Sequence, residues 1–285
     1  MPPKRLSILG VGLLGGSLAL AAKKFIKSCE IFGYAHRPET LEAARNAGML
    51  DQGFDRPEPA VDGADLVVLC TPVSQLSPLL QRISGSLANG AIVTDVGSTK
   101  RSVVAAGESL LQGDRYFVGS HPMAGSEKRG LHFASADLFQ GATCILTPTE
   151  RTHAPALQKI EEFWRVLGMK TTRLSPPEHD QLLADISHLP HAVAAALVAM
   201  QSDRALSLSG KGFQDLTRIA AGDGGLWRDI LLDNRDSVRQ SIHGLRKELQ
   251  QLENMLENTS SDELRQWLDR AAGRRRSMAD RQGNG

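Results

Sequence analysis

The sequence predicts a doubly wound, parallel α/β sheet domain followed by an all-helical domain. Up to residue 174, short and nearly continuous apolar runs alternate with helical stretches, which is typical of strands covered by helices on both faces. After the double proline Pro176-Pro177 these strand-like runs stop. We therefore expect an α/β domain over residues 1–176, a helical domain over 177–272 and a flexible tail over 273–285.

Composition narrows the class of protein. With 41% hydrophobic and 23% charged residues, the chain resembles a globular enzyme, and its net charge of +1 gives no indication of a nucleic acid or membrane partner. The three cysteines are scattered and follow no zinc-binding pattern, so we expect reduced thiols, a cytoplasmic protein and no metal. Beyond the N-terminal run, we expect no stretch with the ~18 apolar residues of a membrane span.

The first strand and its turn predict a dinucleotide site. Residues 6–9 are apolar, a G-x-G-x-x-G pattern follows, and residues 17–22 favour a helix. The glycines allow a tight turn and close approach of a pyrophosphate, so this pattern predicts a Rossmann-type fold. A signal peptide is the alternative for this basic and apolar start, although the glycine register favours the turn. The expected cofactor contacts here are Gly10, Gly12, Leu13, Leu14 and Gly15.

The end of the second strand bears on the choice of cofactor. Residues 31–35 form this strand, and at its end NAD enzymes place an acid on the adenosine ribose. Here Ala35 is followed by His36 and Arg37, so the acid is missing and a guanidinium is available for a 2′-phosphate. The pattern favours NADP and leaves NAD possible, since Arg37 could also be merely solvated.

Later strands direct polar residues to one crevice. Strand 66–70 ends at Thr71-Pro72, strand 91–95 precedes Ser98, and strand 116–119 precedes His121. Carboxyl ends of parallel strands share one edge of a sheet, so these residues should meet at the ligand. Two more strands, at 143–146 and 170–174, flank a helix near 154–167 and complete the sheet.

Residues 119–130 are rich in glycine and proline, which predicts a shaped loop. We expect His121 to be the general base, because its pKa suits alcohol oxidation, and Glu127 to serve the same site. Ser98 could cap the helix predicted to start near Thr99, or contact substrate, or both.

The second half carries further candidates. A helix over 178–201 should kink or end at Pro190, and His188 and His191 form too sparse a set for a metal. Arg218 could pair with Asp215 or clamp a substrate carboxylate. Further helices are expected at 213–221 and 226–232, and Asn234 or Asp236 could cap the next. There an apolar heptad stripe predicts a homodimer through the helical domain, formed by Val238, Ile242, Leu245, Leu249, Leu252 and Leu256.

Six stretches together resemble the prephenate/arogenate (cyclohexadienyl) dehydrogenase family of tyrosine biosynthesis. In chain order they are GVGLLGGSLA at 10–19, DVGSTK at 95–100, GSHPMAGSE at 119–127, SHLPH at 187–191, FQDLTRIA at 213–220 and LWRDI at 226–230. The resemblance spans nearly the whole chain. It implies hydride transfer from a cyclohexadienol to NAD(P), with loss of CO2 and aromatisation of the ring.

The resemblance also implies residue roles. His121 would take the proton of the C4 hydroxyl, and Ser98 would bond the same hydroxyl or the nicotinamide. Arg218 would clamp a substrate carboxylate, His188 and Trp227 would line the pocket, and Glu127 would gate it. The chain departs from NAD-using members at residues 35–37, and we expect no separate regulatory module.

Two other readings remain open. The first is another Rossmann-plus-helical dehydrogenase, of the 3-hydroxyacid or imine type, although the lysine that such enzymes use has no matching motif here. The second is a cofactor-binding regulator without turnover. The sequence leaves open whether prephenate or arogenate is preferred.

Overall fold

The computed structural model describes residues 2–125 and 130–283. The chain forms two compact units, Met1–Ser237 and Val238–Gly285. The sheet and the helices up to residue 233 all belong to the first unit. The domain boundary expected after residue 176 falls inside this unit and stays a prediction.

One eight-stranded sheet organises the first unit, in the order β3-β2-β1-β4-β5-β6-β7-β8. Its strands are β1 (Arg5–Leu9), β2 (Glu30–Tyr34), β3 (Gln52–Phe54), β4 (Leu66–Leu69), β5 (Ile92–Asp95), β6 (Tyr116–Pro122), β7 (Thr143–Thr147) and β8 (Lys170–Arg173). The order reverses between β1 and β4, which is the switch point of a doubly wound Rossmann-type sheet and confirms the predicted fold class.

Two features of the sheet differ from the prediction. The short edge strand β3 was not predicted, because three residues carry too little periodicity to be recognised. The pair β6–β7 is antiparallel, whereas every other pair is parallel, with His121 opposite Ile145. Strand β6 therefore continues through His121 to Pro122 instead of ending at Gly119.

Helices cover both faces of the sheet and build the second half of the chain. They are α1 (Leu13–Phe25), α2 (Pro38–Asn46), α3 (Pro57–Ala60), α4 (Val73–Ile83), α5 (Arg101–Leu110), α6 (Ala154–Val166), α7 (Pro176–Leu183), α8 (Leu189–Ala199), α9 (Asp203–Ser207), α10 (Lys211–Thr217), α11 (Gly224–Asp233), α12 (Arg235–Glu257) and α13 (Ser261–Gly283).

The core has one apolar cluster on each face of the sheet. On the first face, α1 and α6 bury Leu18, Ile160 and Trp164, while on the second α4 and α5 bury Leu80 and Val103. The indole of Trp164 is fully buried and donates a hydrogen bond to Ser120 Oγ at 3.1 Å. This bond satisfies the polar atom of a large core residue and ties α6 to the strand that carries His121.

Between α7 and α8, residues 184–188 form a π-helical turn, so helical backbone runs from Pro176 to Ala199. The N–H of Leu189 reaches back five residues to the carbonyl of Ala184. This wider turn lies directly before Pro190, whose ring would clash with a regular preceding turn and which has no N–H to donate. Pro190 was predicted to kink or end the helix; instead the preceding turn widens locally, and the helix continues past the proline.

The run Pro176–Ala199 is long and apolar enough, by length and composition, to cross a bilayer. This differs from the expectation of no such stretch. However, His179, Asp180 and His188 on this run are buried in polar contacts with other parts of the same unit. We interpret the run as a wall of the cleft described below.

The second unit contains α12 from Val238 onward and α13, which are joined by a short turn, and Trp267 Nε1 donates to Glu248 Oε2 at 3.3 Å. The predicted heptad helix is therefore present. Residues 273–283, expected as a flexible tail, are the last turns of α13. The four arginines of this segment are good helix formers, which favours its helical backbone.

Candidate active site

A cleft of about 620 Å³ opens beyond the carboxyl ends of β1, β4, β5 and β6. Its second wall comes from the π-turn, α8, α11 and the 3-10 turn after α10. The cleft brings together ten of the residues predicted for the site, namely Gly12, Leu13, Leu14, Thr71, Pro72, Ser98, His121, His188, Arg218 and Trp227. The strand ends and the helical region therefore meet at the switch point of the sheet, where ligands bind in doubly wound folds.

The glycine turn between β1 and α1 fits a dinucleotide. Gly10 has φ +111°, and a Cβ there would lie 2.7 Å from the carbonyl oxygen of Cys70, so this turn requires glycine. A Cβ at Gly12 would meet nothing within 4 Å, because Gly12 faces the open cleft. Helix α1 has neither a side-chain cap nor an acid in its first turn. Its N–H groups are therefore available to a pyrophosphate.

The predicted cofactor-selecting residues lie just after β2. Ala35 is buried, whereas His36 and Arg37 are exposed, and Arg37 is the N-cap residue of α2. These exposed side chains are compatible with contact to a bound adenosine ribose, and they are not among the residues that line the cleft.

A buried ion pair shapes the turn that carries Ser98. Lys100 Nζ contacts Asp95 Oδ2, and both side chains are fully buried. Asp95 also accepts hydrogen bonds from the N–H of Gly97 at 2.8 Å and of Ser120 at 3.2 Å. One carboxylate thus fixes the end of β5 against β6. Ser98, held between these anchors, lines the cleft.

Ser98 does not cap the following helix, so that alternative was wrong. Helix α5 begins at Arg101 with Lys100 as its N-cap residue, two positions later than the cap reading requires. The carboxylate of Asp180 performs the capping instead. It accepts hydrogen bonds from the N–H groups of Lys100 at 2.7 Å and Arg101 at 3.0 Å.

His121 lies in β6, whereas we expected it in a loop. The antiparallel pairing of β7 extends β6 to Pro122 and fixes the backbone of His121, a buried residue (8% exposed) that lines the cleft. Its Nδ1 lies 2.9 Å from Nε2 of His179. Burial, followed by the nearby charges of His179 and Lys100, holds the pKa of His121 well below its ordinary value. A neutral imidazole at neutral pH is the form that a general base needs.

Behind His121 lies a buried pair of residues that was not predicted from the sequence. His179 Nδ1 lies 2.8 Å from Asp180 Oδ1, and both residues are almost completely inaccessible. Burial, only partly offset by the hydrogen bond to Asp180, lowers the pKa of His179. The available signal was an adjacent His-Asp pair at the start of an apolar helix, where a core would not place two titratable groups without partners.

Two histidines line the helical wall. His188 is buried and bonds through Nδ1 to Asn234 Nδ2 at 3.1 Å, while burial lowers its pKa to about 4. The ring of His191 stacks on Trp227 with centroids 3.6 Å apart. Among the described residues, His188 Nε2 and His191 Nδ1 have no hydrogen-bond partner. Unsatisfied buried nitrogen atoms beside a cleft are available to a polar ligand.

Arg218 and Glu127 are the remaining residues predicted to bind substrate. Arg218 is exposed in the 3-10 turn Arg218–Ala221 and belongs to the helical wall of the cleft. Glu127 lies outside the described residues. Within the described part of the chain, no three potential metal ligands form a group.

Comparisons with known proteins agree on one family. A family model described as the nucleotide-binding domain of prephenate dehydrogenase matches residues 18–173, and one described as its dimerization domain matches residues 175–270. The prephenate dehydrogenase of Bacillus subtilis is 35% identical and the alignment covers 96% of this chain and 76% of that protein. The cyclohexadienyl dehydrogenase of Zymomonas mobilis is 32% identical, with 92% and 91% covered.

Solved structures give the same result. The prephenate dehydrogenase of A. aeolicus in complex with hydroxyphenyl propionate and NAD+ superposes with a TM-score of 0.92 at 34% identity, covering 98% of this chain and 99% of that one. The Synechocystis arogenate dehydrogenase gives 0.84 at 31% identity, with 96% and 99% covered. A 3-hydroxyisobutyrate dehydrogenase from Mycobacterium tuberculosis, at 15% identity, shares the fold alone.

Proposed function

Because the chain belongs to the prephenate dehydrogenase family, we propose that it oxidatively decarboxylates prephenate or arogenate with hydride transfer to NAD(P), in tyrosine biosynthesis. The observation that carries this proposal is His121, a buried histidine with a lowered pKa, in the same cleft as the dinucleotide turn and Ser98. A base beside a hydride acceptor is the arrangement that alcohol oxidation requires.

His121 and Ser98 would act on the C4 hydroxyl of the substrate. Bound NAD(P)+ supplies the hydride acceptor. Nε2 of His121 accepts a hydrogen bond from the hydroxyl and takes its proton as hydride leaves C4, while Ser98 holds the same hydroxyl or the nicotinamide in line. The developing ketone is conjugated to the ring carbon that bears the carboxylate. Loss of CO2 then yields an aromatic ring and makes the reaction effectively irreversible.

The helical wall would bind the rest of the substrate. Arg218, which lines this wall, would clamp a carboxylate with two parallel hydrogen bonds, because a guanidinium matches that geometry. His188, with a free Nε2, and the indole of Trp227 would line the pocket around the ring. For Glu127 we keep the proposed role at the mouth of the pocket.

For the cofactor we propose a preference for NADP. Ala35 stands where an acid would repel a 2′-phosphate, and the exposed Arg37 at the start of α2 provides a positive charge beside it. The three cysteines form no disulfide, which supports our proposal of a cytoplasmic enzyme.

We also propose a homodimer built through the helical region. Of the sixteen exposed large apolar side chains among the described residues, twelve lie within residues 175–270, the range that the dimerization-domain model matches. In the apolar window of Pro176–Ala199, only 28% is buried within one chain. Exposed apolar surface on this scale is typical of subunit interfaces. Light scattering at micromolar concentration should give twice the chain mass, and a monomer mass would refute the proposal.

One assay matrix tests the catalytic proposal, with two substrates, prephenate and arogenate, each offered with NAD+ and NADP+. We expect reduced cofactor and an aromatic product with at least one substrate, and a higher kcat/KM with NADP+. Cofactor binding without turnover of either substrate would contradict the proposal and would favour a regulatory protein. A strong preference for NAD+ would contradict the cofactor proposal alone.

A further inference from the structure

We infer that His179 and Asp180 are positioning residues, which fix through one chain of hydrogen bonds the tautomer in which His121 presents an unprotonated Nε2 to the cleft. This inference rests on the proposed role of His121 as the base. Neither His179 nor Asp180 lines the cleft, so neither can act on the substrate directly. Their effect on the reaction would pass through His121.

The chain of contacts is short and buried throughout. It runs from His121 Nδ1 to His179 Nε2 at 2.9 Å, then from His179 Nδ1 to Asp180 Oδ1 at 2.8 Å. The exposed fractions of the three residues are 8%, 0% and 1%. Water therefore cannot compete for these contacting nitrogen atoms, and each ring must bond to its neighbour among these three residues.

The protein holds the Asp180 end of the chain rigidly. Its carboxylate accepts hydrogen bonds from the N–H groups of Lys100 and Arg101 at the start of α5, and its carbonyl accepts from Asn234 Nδ2 at 2.6 Å. Burial acts to raise the pKa of this carboxyl, but the hydrogen bond from His179 and those from the two backbone N–H groups hold it below the ordinary value. Asp180 is thus a carboxylate at neutral pH and can only accept.

An ionised Asp180 determines the protonation of both rings. His179 must donate from Nδ1 to the carboxylate, so the Nε2 of a neutral His179 is an acceptor. That acceptor faces His121, which must therefore carry its own proton on Nδ1. The remaining nitrogen of His121, Nε2, is left with a free lone pair.

The same chain stabilises His121 after it takes the substrate proton. Both ring nitrogens of His121 are then protonated, and Nδ1–H continues to donate to His179 without any further proton movement. The buried positive charge of Lys100 opposes protonation, although Asp95 lies against it, and His188 is a further titratable group nearby. The negative charge of Asp180 offsets these terms, so its removal should make His121 harder to protonate.

The tautomers can be observed without turnover. Nitrogen-15 NMR of the histidine rings in the intact protein, with His121→Asn and His179→Gln used to assign the signals, should show both rings protonated at Nδ1 and unprotonated at Nε2. A proton on Nε2 of His121 in the native protein would overturn the inference. This readout remains valid even if neither prephenate nor arogenate is turned over, which would contradict the proposed function separately.

Kinetics give the second test. Asp180→Asn removes the negative charge that fixes the tautomer of His179 and that favours a protonated His121. We expect kcat to fall by ~10²–10⁴-fold, the scale seen when the carboxylate behind a catalytic histidine is neutralised. The substrate KM should change little, and the acid limb of the residual kcat/KM should move to lower pH. Glu178→Gln, an exposed neighbour that loses the same charge, is the matched control and should be unchanged.

Asp180 also caps α5, so a second pair of variants separates positioning from folding. In His179→Gln, the amide oxygen can accept from His121 Nδ1–H, whereas His179→Phe keeps an aromatic ring without an acceptor. We expect the Gln variant to retain at least ~10-fold more kcat than the Phe variant, since one buried hydrogen bond is at stake. Equal kcat in the two variants, with cofactor affinity intact in both, would overturn the inference.

Discussion

The two walls of the cleft are built differently. On the strand wall, the side chains of Asp95, Lys100 and His121 are buried. Asp95 bonds to Lys100 and to neighbouring backbone, and His121 bonds to the buried ring of His179. On the helical wall, nitrogen atoms of His188 and His191 have no partner among the described residues, and Arg218 is exposed. We therefore propose a division of work, with proton transfer on the strand wall and substrate recognition on the helical wall, where the two histidines leave nitrogen atoms available.

The largest effect should follow from breaking the strand wall at its reacting atom. His121→Asn removes the proton acceptor while the backbone of β6 stays paired, so kcat should fall by ~10²–10⁴-fold. Cofactor affinity, measured by fluorescence titration with the reduced cofactor, should hold. Full activity of this variant would show that the base has been assigned wrongly.

A smaller effect of another kind should follow on the helical wall. Arg218→Ala removes a charged hydrogen-bond donor for the substrate carboxylate, so KM should rise by about 10- to 100-fold with kcat largely retained. Arg204→Ala, another exposed arginine of the helical region, is the matched control and should behave as the native enzyme. A loss confined to kcat in Arg218→Ala would contradict the recognition role.

A substitution at Arg37, the residue proposed to select the cofactor, tests whether cofactor choice is independent of both walls. Arg37→Ser removes the positive charge proposed for the 2′-phosphate, and the ratio of kcat/KM for NADP+ over NAD+ should fall by about 10-fold. The KM for prephenate or arogenate should not change. An unaltered cofactor ratio would place the selectivity elsewhere.

Burial of the histidines at both walls should make stability depend on pH. The pKa values of His121, His179 and His188 are all lowered, that of His188 to about 4. Between pH 6.5 and about 4, His188 binds a proton in the unfolded chain but not in the native state. Its contribution to stability is therefore full above this window and is lost as pH decreases through it, by about 1.4 kcal/mol per pH unit. The lowered pKa values of His121 and His179 act in the same direction.

Urea unfolding over this pH range measures the effect. His188→Asn removes one of these titrating groups, so its midpoint should decline less steeply with decreasing pH than that of the native protein. Identical slopes for the two proteins would contradict the proposed burial of neutral His188.

The strand wall could largely be predicted from the sequence, and the helical wall only in part. The glycine turn, Ser98 and His121 each follow an apolar strand, and parallel strands bring their carboxyl ends to one edge by geometry alone. The antiparallel return of β7 could not be foreseen, because strand direction depends on contacts far apart in sequence. It is this pairing that places His121 within β6.

Contacts between distant parts of the sequence also explain why His179 and Asp180 were not predicted. In the sequence, His179 and Asp180 resemble ordinary polar residues at a helix start. Their partners are distant, since His179 bonds to His121, 58 positions away, and Asp180 bonds to Lys100, 80 positions away. The π-turn before Pro190 likewise absorbs a predicted break, because a wider turn accommodates the proline ring. The sequence showed that the helix is disturbed at Pro190, whereas the tertiary structure determines that this disturbance is a wider turn.

The most direct test of the division between the walls is the steady-state kinetics of the double variant His121→Asn/Arg218→Ala beside its two single variants. If the walls act independently, the double variant combines the kcat of His121→Asn with the KM of Arg218→Ala, and the two factors multiply within about 2-fold. If Arg218→Ala alone lowers kcat as far as His121→Asn does, and the double variant is no worse than either, the two walls act as one unit and the account is contradicted.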